Sequence, residues 1–276
     1  MNHGHGAPAG PAGLPVAGWV ALAVAAVAVA AHLAAVLRLH GRSVRWPAAR
    51  TAAGVAGLAV IGAGLAVPPG SFPRHVAAHL LVAMVGPLLL ALSAPVTLGL
   101  RALPTAARRR AVRVLHSRPV RALAWPWTAL VLDTGGTAVL YLGPLWGAAE
   151  RHPLVHTAVM VHMALAGVLF SVVVLGVDPV PRTRLATRLA VLFVAAGTHD
   201  AVTRLMYAHT LPAGMDRSGV RAGAELMSAG GTAVELGLAV AVLGRWYAGS
   251  GRELARARRR AGADGKRTPG PVVARS

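Results

Sequence analysis

The stretch HVAAHLLVAMVGPLLLALSAPVTLGL, residues 75–100, decides the fold class. It contains no Asp, Glu, Lys or Arg, and it is longer than the roughly 18 apolar residues that indicate a membrane-spanning helix. Residues 14–37 and 153–177 are uncharged in the same way. The sequence therefore predicts an integral membrane protein built of helices, because a helix satisfies its own backbone hydrogen bonds within lipid.

The distribution of basic residues predicts how the chain crosses the membrane. Apolar runs predict seven spans, at residues 15–37, 51–68, 75–100, 122–146, 153–177, 186–208 and 225–245. Of the 28 Lys and Arg residues, 23 lie between spans one and two, three and four, or five and six, or after span seven, if Arg188 and Arg245 at the ends of their spans are counted with these segments. Since basic segments stay in the cytoplasm, we expect an all-α polytopic bundle with its N-terminus outside and its C-terminus cytoplasmic.

Composition divides the chain into three parts and excludes several functions. We expect residues 1–13 to form an extracytoplasmic segment, residues 14–248 the transmembrane domain, and residues 249–276 a basic, disordered cytoplasmic tail. The net charge of +19 is then mainly a topology signal with an attraction to anionic lipid. Motifs for nucleic-acid binding are missing. The chain has no cysteine and no recognisable catalytic motif, so the sequence predicts no enzyme. The opening MNH is a weak signal for Cu(II).

Histidine and methionine side chains gather in the outer half of the predicted bundle. On span five one stripe combines imidazole and thioether groups, whereas His162 points about 120° away from His156. His75 and His79 are four residues apart on one face of span three, while regular helix geometry puts Met84 on the opposite face. The candidate metal ligands from these patterns are His75, His79, His152, His156, Met160, Met163 and His199. Trp146 falls at an outer span end, the usual place of an interfacial aromatic residue.

Imidazole and thioether groups together suit copper, and thioether favours Cu(I). A pocket open to the outside would suit receiving and handing over that ion. The same histidines could instead form hydrogen bonds between helices while the methionines fill gaps. A third interpretation is a haem-binding membrane protein for electron transfer or haem modification, with axial histidines from two helices.

Three carboxylates lie within the predicted spans, where ionisable groups are costly and face the bundle interior or water. Asp200 is one helical turn from Arg204 and can pair with it. Asp133 and Glu235 have no cation within helical reach. They either form hydrogen bonds inside the bundle or serve a path for protons or other small ions, which would make the protein a small-ion transporter.

Two segments resemble the CtaG family of cytochrome c oxidase assembly factors, which serve caa3-type oxidases. The first is FPRHVAAHLLVAMVGPLLLALSAPVTLGLRALP, residues 72–104. The second is HPLVHTAVMVHMALAGVLFSVVVLGVDPVPR, residues 152–182. The residues that carry the resemblance are His75, His79, Pro87, Ala94, Pro95, Arg101, Pro104, His156, His162, Gly167, Phe170, Asp178 and Pro179.

The resemblance implies a seven-span protein of the bacterial plasma membrane that helps to build a haem–copper oxidase by supplying copper. It adds His162 to the candidate metal ligands beside His75, His79 and His156. The expected partners are oxidase subunits, the lipid bilayer and a protein that donates copper.

Overall fold

The computed structural model describes residues 14–179 and 183–264, with residues 253–264 by their backbone only. Each regular element in these ranges is helical, which confirms the all-α class. The elements are α1 Val16–His40, α2 Ala48–Leu65, α3 Phe72–His79, a π-helical segment Leu80–Val85, α4 Gly86–Leu92, α5 Pro95–Ala102, α6 Thr105–Leu115, α7 Arg118–Leu123, α8 Pro126–Leu142, α9 Leu145–Arg151, α10 Pro153–Leu175, α11 Leu185–His209 and α12 Arg217–Asp264. The predicted N-terminal segment with its MNH motif, and residues 265–276 of the predicted tail, lie outside the described residues.

Six helical stretches of the described chain are long and apolar enough to cross a membrane. They are α1, α2, the continuous stretch Phe72–Leu92, α10, α11 and the part of α12 up to Arg252. These correspond to all predicted spans except the fourth. The fourth, residues 122–146, is divided among the end of α7, the 17-residue α8 and the start of α9. At its far end α12 extends through residues 249–264, which the sequence predicts as the start of a disordered tail.

Two proline-containing turns make α8 shorter than predicted. Pro126 begins the helix, a position where the missing backbone N–H costs nothing. The helix ends at Gly143, whose backbone is extended (φ −107°, ψ −175°), and Pro144 follows as the N-cap of α9. The apolar run between residues 122 and 146 therefore folds as one main helix with a short helix on either side.

The third span contains a π-helical segment that explains its contact with α10. Pro87 has no backbone N–H, so the carbonyl of Ala83 loses its regular helical partner. Gly167 of α10 lies directly against that carbonyl, and a Cβ atom at this position would overlap it. The backbone of α10 therefore packs onto the π-helical segment at a point where only glycine fits.

Buried side chains form one cluster around the first half of α10 and another around its second half. The first cluster includes Phe72, Tyr141, Trp146, Met160, Met163, Met206 and Met227. The second includes Phe170, Val174, Val191 and Leu238. α1 packs along α2 at the edge of the bundle, with Trp19 exposed on its outer side. The centre of the molecule is therefore built by α3 with its π-helical continuation, α8, α10, α11 and α12.

Side-chain hydrogen bonds join the segments that the charge pattern assigns to one membrane face. Asp178, just after α10, accepts hydrogen bonds from the Thr97 backbone N–H (2.8 Å), the Thr97 hydroxyl (2.8 Å) and the Val96 N–H (3.2 Å). The carboxylate therefore caps α5 from another span, a position where the helix dipole favours negative charge. Arg42 donates to the Arg101 carbonyl at 3.2 Å, so a third segment reaches the same face.

Candidate functional site

Two histidine rings face each other at the end of the bundle where α3 and α10 begin. His75 lies in the first turn of α3 and His156 in the first turn of α10, and each helix has a proline in its first turn. Their ring centroids are 6.1 Å apart. Trp146 packs against His75 with a centroid distance of 4.6 Å. The third span and α10 therefore each bring one histidine to the same end of the bundle.

One helical turn deeper, His79 is enclosed by core side chains. It is 2% exposed, and its ring lies 5.5 Å from that of Tyr141, centroid to centroid. Met160 and Met163, the two methionines of the predicted stripe, are buried in the same cluster. Met163 also accepts a weak hydrogen bond from the Thr137 hydroxyl at 3.9 Å. Imidazole and thioether groups therefore lie together below the facing pair of histidines.

A small polar chamber lies at mid-depth between the third span, α8, α11 and α12. It has a volume of about 30 Å³, enough for a water molecule or a single ion. Its ionisable lining residues are His79, Asp133, His199 and Glu235. Nδ1 of His199 lies 3.5 Å from Oε1 of Glu235. The chamber thus brings together two carboxylates and two histidines from four different spans.

Several buried polar atoms near His75, His79 and the chamber have no hydrogen-bond partner within the described part of the chain. They are Nε2 of His75, Nδ1 of His79, the Tyr141 hydroxyl, Nε1 of Trp146 and Nε2 of His199. Such atoms are rare in folded proteins, because burying an unpaired polar group is costly. Three of the five are imidazole nitrogens, which suit the binding of an ion or water along the column.

The imidazole and carboxylate groups lie one below another along the bundle and do not surround a single point. Among the described residues, no group of three or more His, Cys, Asp or Glu side chains is arranged to hold a metal ion. The structure therefore offers a facing pair of histidines, a buried histidine below it and a chamber below that. For clarity we call this succession, from His156 and His75 through His79 to the chamber, the histidine column.

Three predicted residues lie outside the histidine column. His152, the N-cap of α10, is exposed. His162 is exposed on the outside of α10, where its Nε2 lies 3.1 Å from the Leu132 carbonyl of α8, so it links two helices. Asp200 pairs with Arg204 at 2.7 Å, which confirms the predicted local ion pair.

Other residues belong to the column although their sequence context does not predict it. Trp146 is buried against His75 and is not an interfacial residue exposed to lipid, so that prediction is wrong. Met84 lines the chamber, although a regular α-helix would turn it away. Tyr141 is fully buried between His75 and His79, and no spacing pattern in the sequence predicts this position. The sequence shows only that an aromatic residue lies near the end of a predicted span.

Glycines on α12 allow close approach from neighbouring spans. A Cβ atom at Gly231 would overlap the His199 ring, and one at Gly230 would lie 2.5 Å from a methyl group of Leu80. His199 therefore reaches Glu235 and the chamber because α12 presents no side chain at residue 231. The Gly230–Gly231 pair has the role expected of small residues in membrane bundles.

Fold and site together define an all-helical membrane protein with a column of histidines that runs from the exposed His156 to the buried His79. Residues 30–249 match the family model described as Cytochrome c oxidase caa3 assembly factor (Caa3_CtaG). The chain therefore belongs to this family of cytochrome c oxidase assembly factors.

Relatives among curated proteins are mycobacterial. The chain is 32% identical over 172 residues to an uncharacterized protein of Mycobacterium bovis, a match covering 58% of this chain and 25% of that protein. An uncharacterized protein of Mycobacterium tuberculosis gives the same values. One of Mycobacterium leprae is 31% identical over 88 residues, covering 31% of this chain and 13% of that protein. The chain thus spans about a quarter of the first two relatives. No solved structure matches this chain.

Proposed function

We propose that the protein binds Cu(I) in the histidine column and passes it to a haem–copper oxidase during assembly. One observation carries the proposal: the rings of His75 and His156 face each other at 6.1 Å, directly above the buried His79. Family membership indicates that the protein receiving the copper is a cytochrome c oxidase, since the matched family is one of oxidase assembly factors. The chain's role is to bind and deliver the ion, without catalysis.

The chemistry of the donors supports copper as the cargo. Imidazole nitrogen and thioether sulfur are ligands that copper accepts, and sulfur favours its reduced form. His75, His79 and His156 provide the nitrogen donors. Met160 and Met163 belong to the buried cluster that contains Tyr141 and Trp146, against which His75 and His79 pack. Donors placed in succession suit an ion that must be released again, because no single point encloses it on all sides.

We further propose that the chain crosses the bacterial plasma membrane seven times, with its N-terminus outside. α8 is the additional span: its 17 residues extend about 25 Å at the helical rise, at the lower limit for crossing a bilayer. With α8 counted, the histidine column opens on the outer face. Copper would then arrive from an extracytoplasmic donor protein, and oxidase subunits in the same membrane would receive it.

The assembly role is tested with a deletion strain grown with and without added copper. We expect cytochrome c oxidase activity to be lost without the gene and to be restored, at least in part, by excess copper. Complementation with a His75→Ala, His79→Ala double variant should fail at low copper although the variant is inserted in the membrane. Normal oxidase activity in the deletion strain under both conditions would refute the proposal.

Haem is a poor fit to the chamber. Pockets that bind ligands of drug size measure about 300–1,000 Å³, and the chamber of about 30 Å³ is an order of magnitude smaller. The spectrum of the purified protein decides the matter, since a Soret band would support the haem alternative over copper.

The chamber favours a second candidate function, the movement of protons or other small ions. Asp133 and Glu235 line the same cavity, as a path through the bundle would require. If this function is present, vesicles containing the protein should show ion flux, and Asp133→Asn should abolish it. Vesicles without flux would remove this candidate and leave the copper proposal intact.

A further inference from the structure

The outer surface of the bundle has a groove between α11 and α12. It has a volume of about 400 Å³, and Phe193, Ala196, Asp200, Thr232 and Leu236 are among its lining residues. Phe193 is 80% exposed and Leu236 is 62% exposed. Both helices are membrane-spanning stretches, so this groove faces the bilayer and not an aqueous phase.

Polar side chains line this groove where lipid would otherwise cover it. The Asp200 side chain is 48% exposed, and Thr232 is exposed as well. Ser228 adds another hydroxyl to the lining. Polar and ionisable groups are expensive against lipid and are normally turned towards protein or water. Their position indicates a surface that another membrane protein covers.

The groove is continuous with the histidine column. His199 and Glu235 line both the chamber and the groove, so the same two side chains form the wall between them. An ion that reaches the chamber from His79 therefore lies next to a His–Glu pair that also faces the groove. An acceptor reached through the groove has to be embedded in the membrane.

We propose that this groove docks a transmembrane helix of the client oxidase, and that copper leaves the chamber sideways into it. The proposal rests on the proposed function. The groove presents two carboxylates: Asp200, which pairs with Arg204 at 2.7 Å, and Glu235, which lies 3.5 Å from Nδ1 of His199. A client helix that carries histidine matches this wall, because an imidazole N–H donates to a carboxylate and an imidazole nitrogen accepts copper. Phe193 and Leu236 supply the apolar packing on which helix association in lipid depends.

Site-specific photo-crosslinking in native membranes tests the docking site. A photoreactive amino acid replaces Phe193 in the groove or, as the matched control, Val240. Val240 lies on α12, is 70% exposed and is not among the residues that line the groove. We expect the probe at residue 193 to capture an oxidase subunit and the probe at residue 240 to capture none. Capture of a second copy of this chain by the probe at residue 193, or equal capture of the oxidase by both probes, would overturn the proposal.

A blocking variant tests the sideways exit. Thr232→Trp fills the groove without touching His75, His79 or His156, and Val240→Trp adds the same bulk outside it. We expect purified Thr232→Trp protein to bind as much Cu(I) as the wild type, while oxidase activity in the cell falls towards that of the deletion strain. Val240→Trp should support normal activity. Full oxidase activity with Thr232→Trp would refute the proposal that copper leaves the chamber through the groove.

The proposed function and the proposed docking site are refuted by different results. If the wild-type protein binds no copper, the proposed function fails whatever the crosslinks show. If it binds copper and the probe at residue 193 finds no oxidase subunit, only the docking site fails.

Discussion

His156 occupies the first position of the histidine column, and a comparison with His162, six residues further along α10, shows what decides such a role. His156 faces His75 across the entrance. His162, on the same helix, turns outward and approaches the Leu132 carbonyl. Both residues resemble positions of the family pattern, and helix periodicity alone separates them. At the scale of the residue, the direction of the side chain matters more than the residue type.

This difference predicts opposite outcomes for two alanine substitutions. His156→Ala removes one ring of the facing pair, so Cu(I) binding by the purified protein should weaken strongly. His162→Ala removes one interhelical hydrogen bond, a loss of about 0.6 kcal/mol in membrane bundles, and copper binding should stay at the wild-type level. Titration with a competing Cu(I) chelator measures both affinities. Equal losses in the two variants would contradict the assignment of His162 to a structural role.

Some residues of the site could be predicted from the sequence because they obey local spacing. His75 and His79 share a face by their separation of four residues, and the same rule aligns His156, Met160 and Met163. The meeting of Asp133 with Glu235 and His199 could not be predicted in this way. It depends on which spans are neighbours and on Gly231, whose missing side chain makes room for the His199 ring.

At the scale of the element, the π-helical segment Leu80–Val85 changes which residues face the chamber. A π-helix pairs residue i with residue i+5, so Met84 follows His79 on the same side of the chain. Regular α-helical periodicity turns Met84 away, and that prediction is wrong. The signal in the sequence was Pro87 within an apolar run, because proline disturbs the helical turn that precedes it.

The contact between Gly167 and the π-helical segment predicts a large effect for a small change. Gly167→Ala places a methyl group against the Ala83 carbonyl, and overpacking of this kind typically costs about 1–3 kcal/mol. Gly197→Ala is the matched control, since nothing lies within 4 Å of a Cβ atom there. Thermal unfolding in detergent should show a lower midpoint for Gly167→Ala and an unchanged or higher one for Gly197→Ala. Equal midpoints would mean that the two spans separate easily at this point.

The N-terminus of α12 predicts a dependence on pH. Asp216 accepts hydrogen bonds of 2.6 Å from the Ser218 hydroxyl and the Gly219 N–H, and these bonds lower the pKa of its carboxyl group. A carboxyl group with a lowered pKa in the folded state stabilises the fold above its ordinary pKa, and this contribution disappears as the pH falls through the folded-state value.

We therefore expect the first turn of α12 to lose amide-exchange protection in acid. Asp216→Asn keeps a good capping residue but has no charge to lose, so its protection at Gly219 and Val220 should not depend on pH. Hydrogen-exchange mass spectrometry compares wild type and variant at the same pH, which cancels the intrinsic exchange rate. The same acid-dependent loss in both proteins would show that Asp216 is not the responsible group.

At the scale of the whole molecule, hydropathy predicts the helical class and six of the membrane-spanning stretches correctly. It places the fourth span less well, because a hydropathy window averages over Pro126 and the Gly143–Pro144 turn, which set the bounds of α8. Hydropathy also does not predict which helices are neighbours in the bundle. The central position of α10, in contact with the third span, α8, α9, α11 and α12, follows from small residues such as Gly167 and from long-range contacts.

Topology reporters test the number of spans. If α8 crosses the membrane, a reporter fused within α6, after residue 110, should be active on the cytoplasmic side. A reporter fused after residue 148, in α9, should be active outside. A reporter pair such as alkaline phosphatase and green fluorescent protein reads the two sides independently. The same side for both fusions would show that α8 does not span, and the seven-span arrangement would be wrong.

The bond network of Asp178 has a mechanical consequence for the protein. The C-terminal end of α10 is fastened to α5 by three hydrogen bonds, and Gly167 holds the helix against Ala83 about two thirds of the way along its length. The part of α10 that precedes Gly167 is therefore a lever with its pivot at that residue. His156 lies about 16 Å beyond that pivot at the helical rise, so a tilt of about 5° shifts its ring by about 1.5 Å relative to the third span. A rotation of one helix by a few degrees is therefore enough to change the distance between the two imidazole rings.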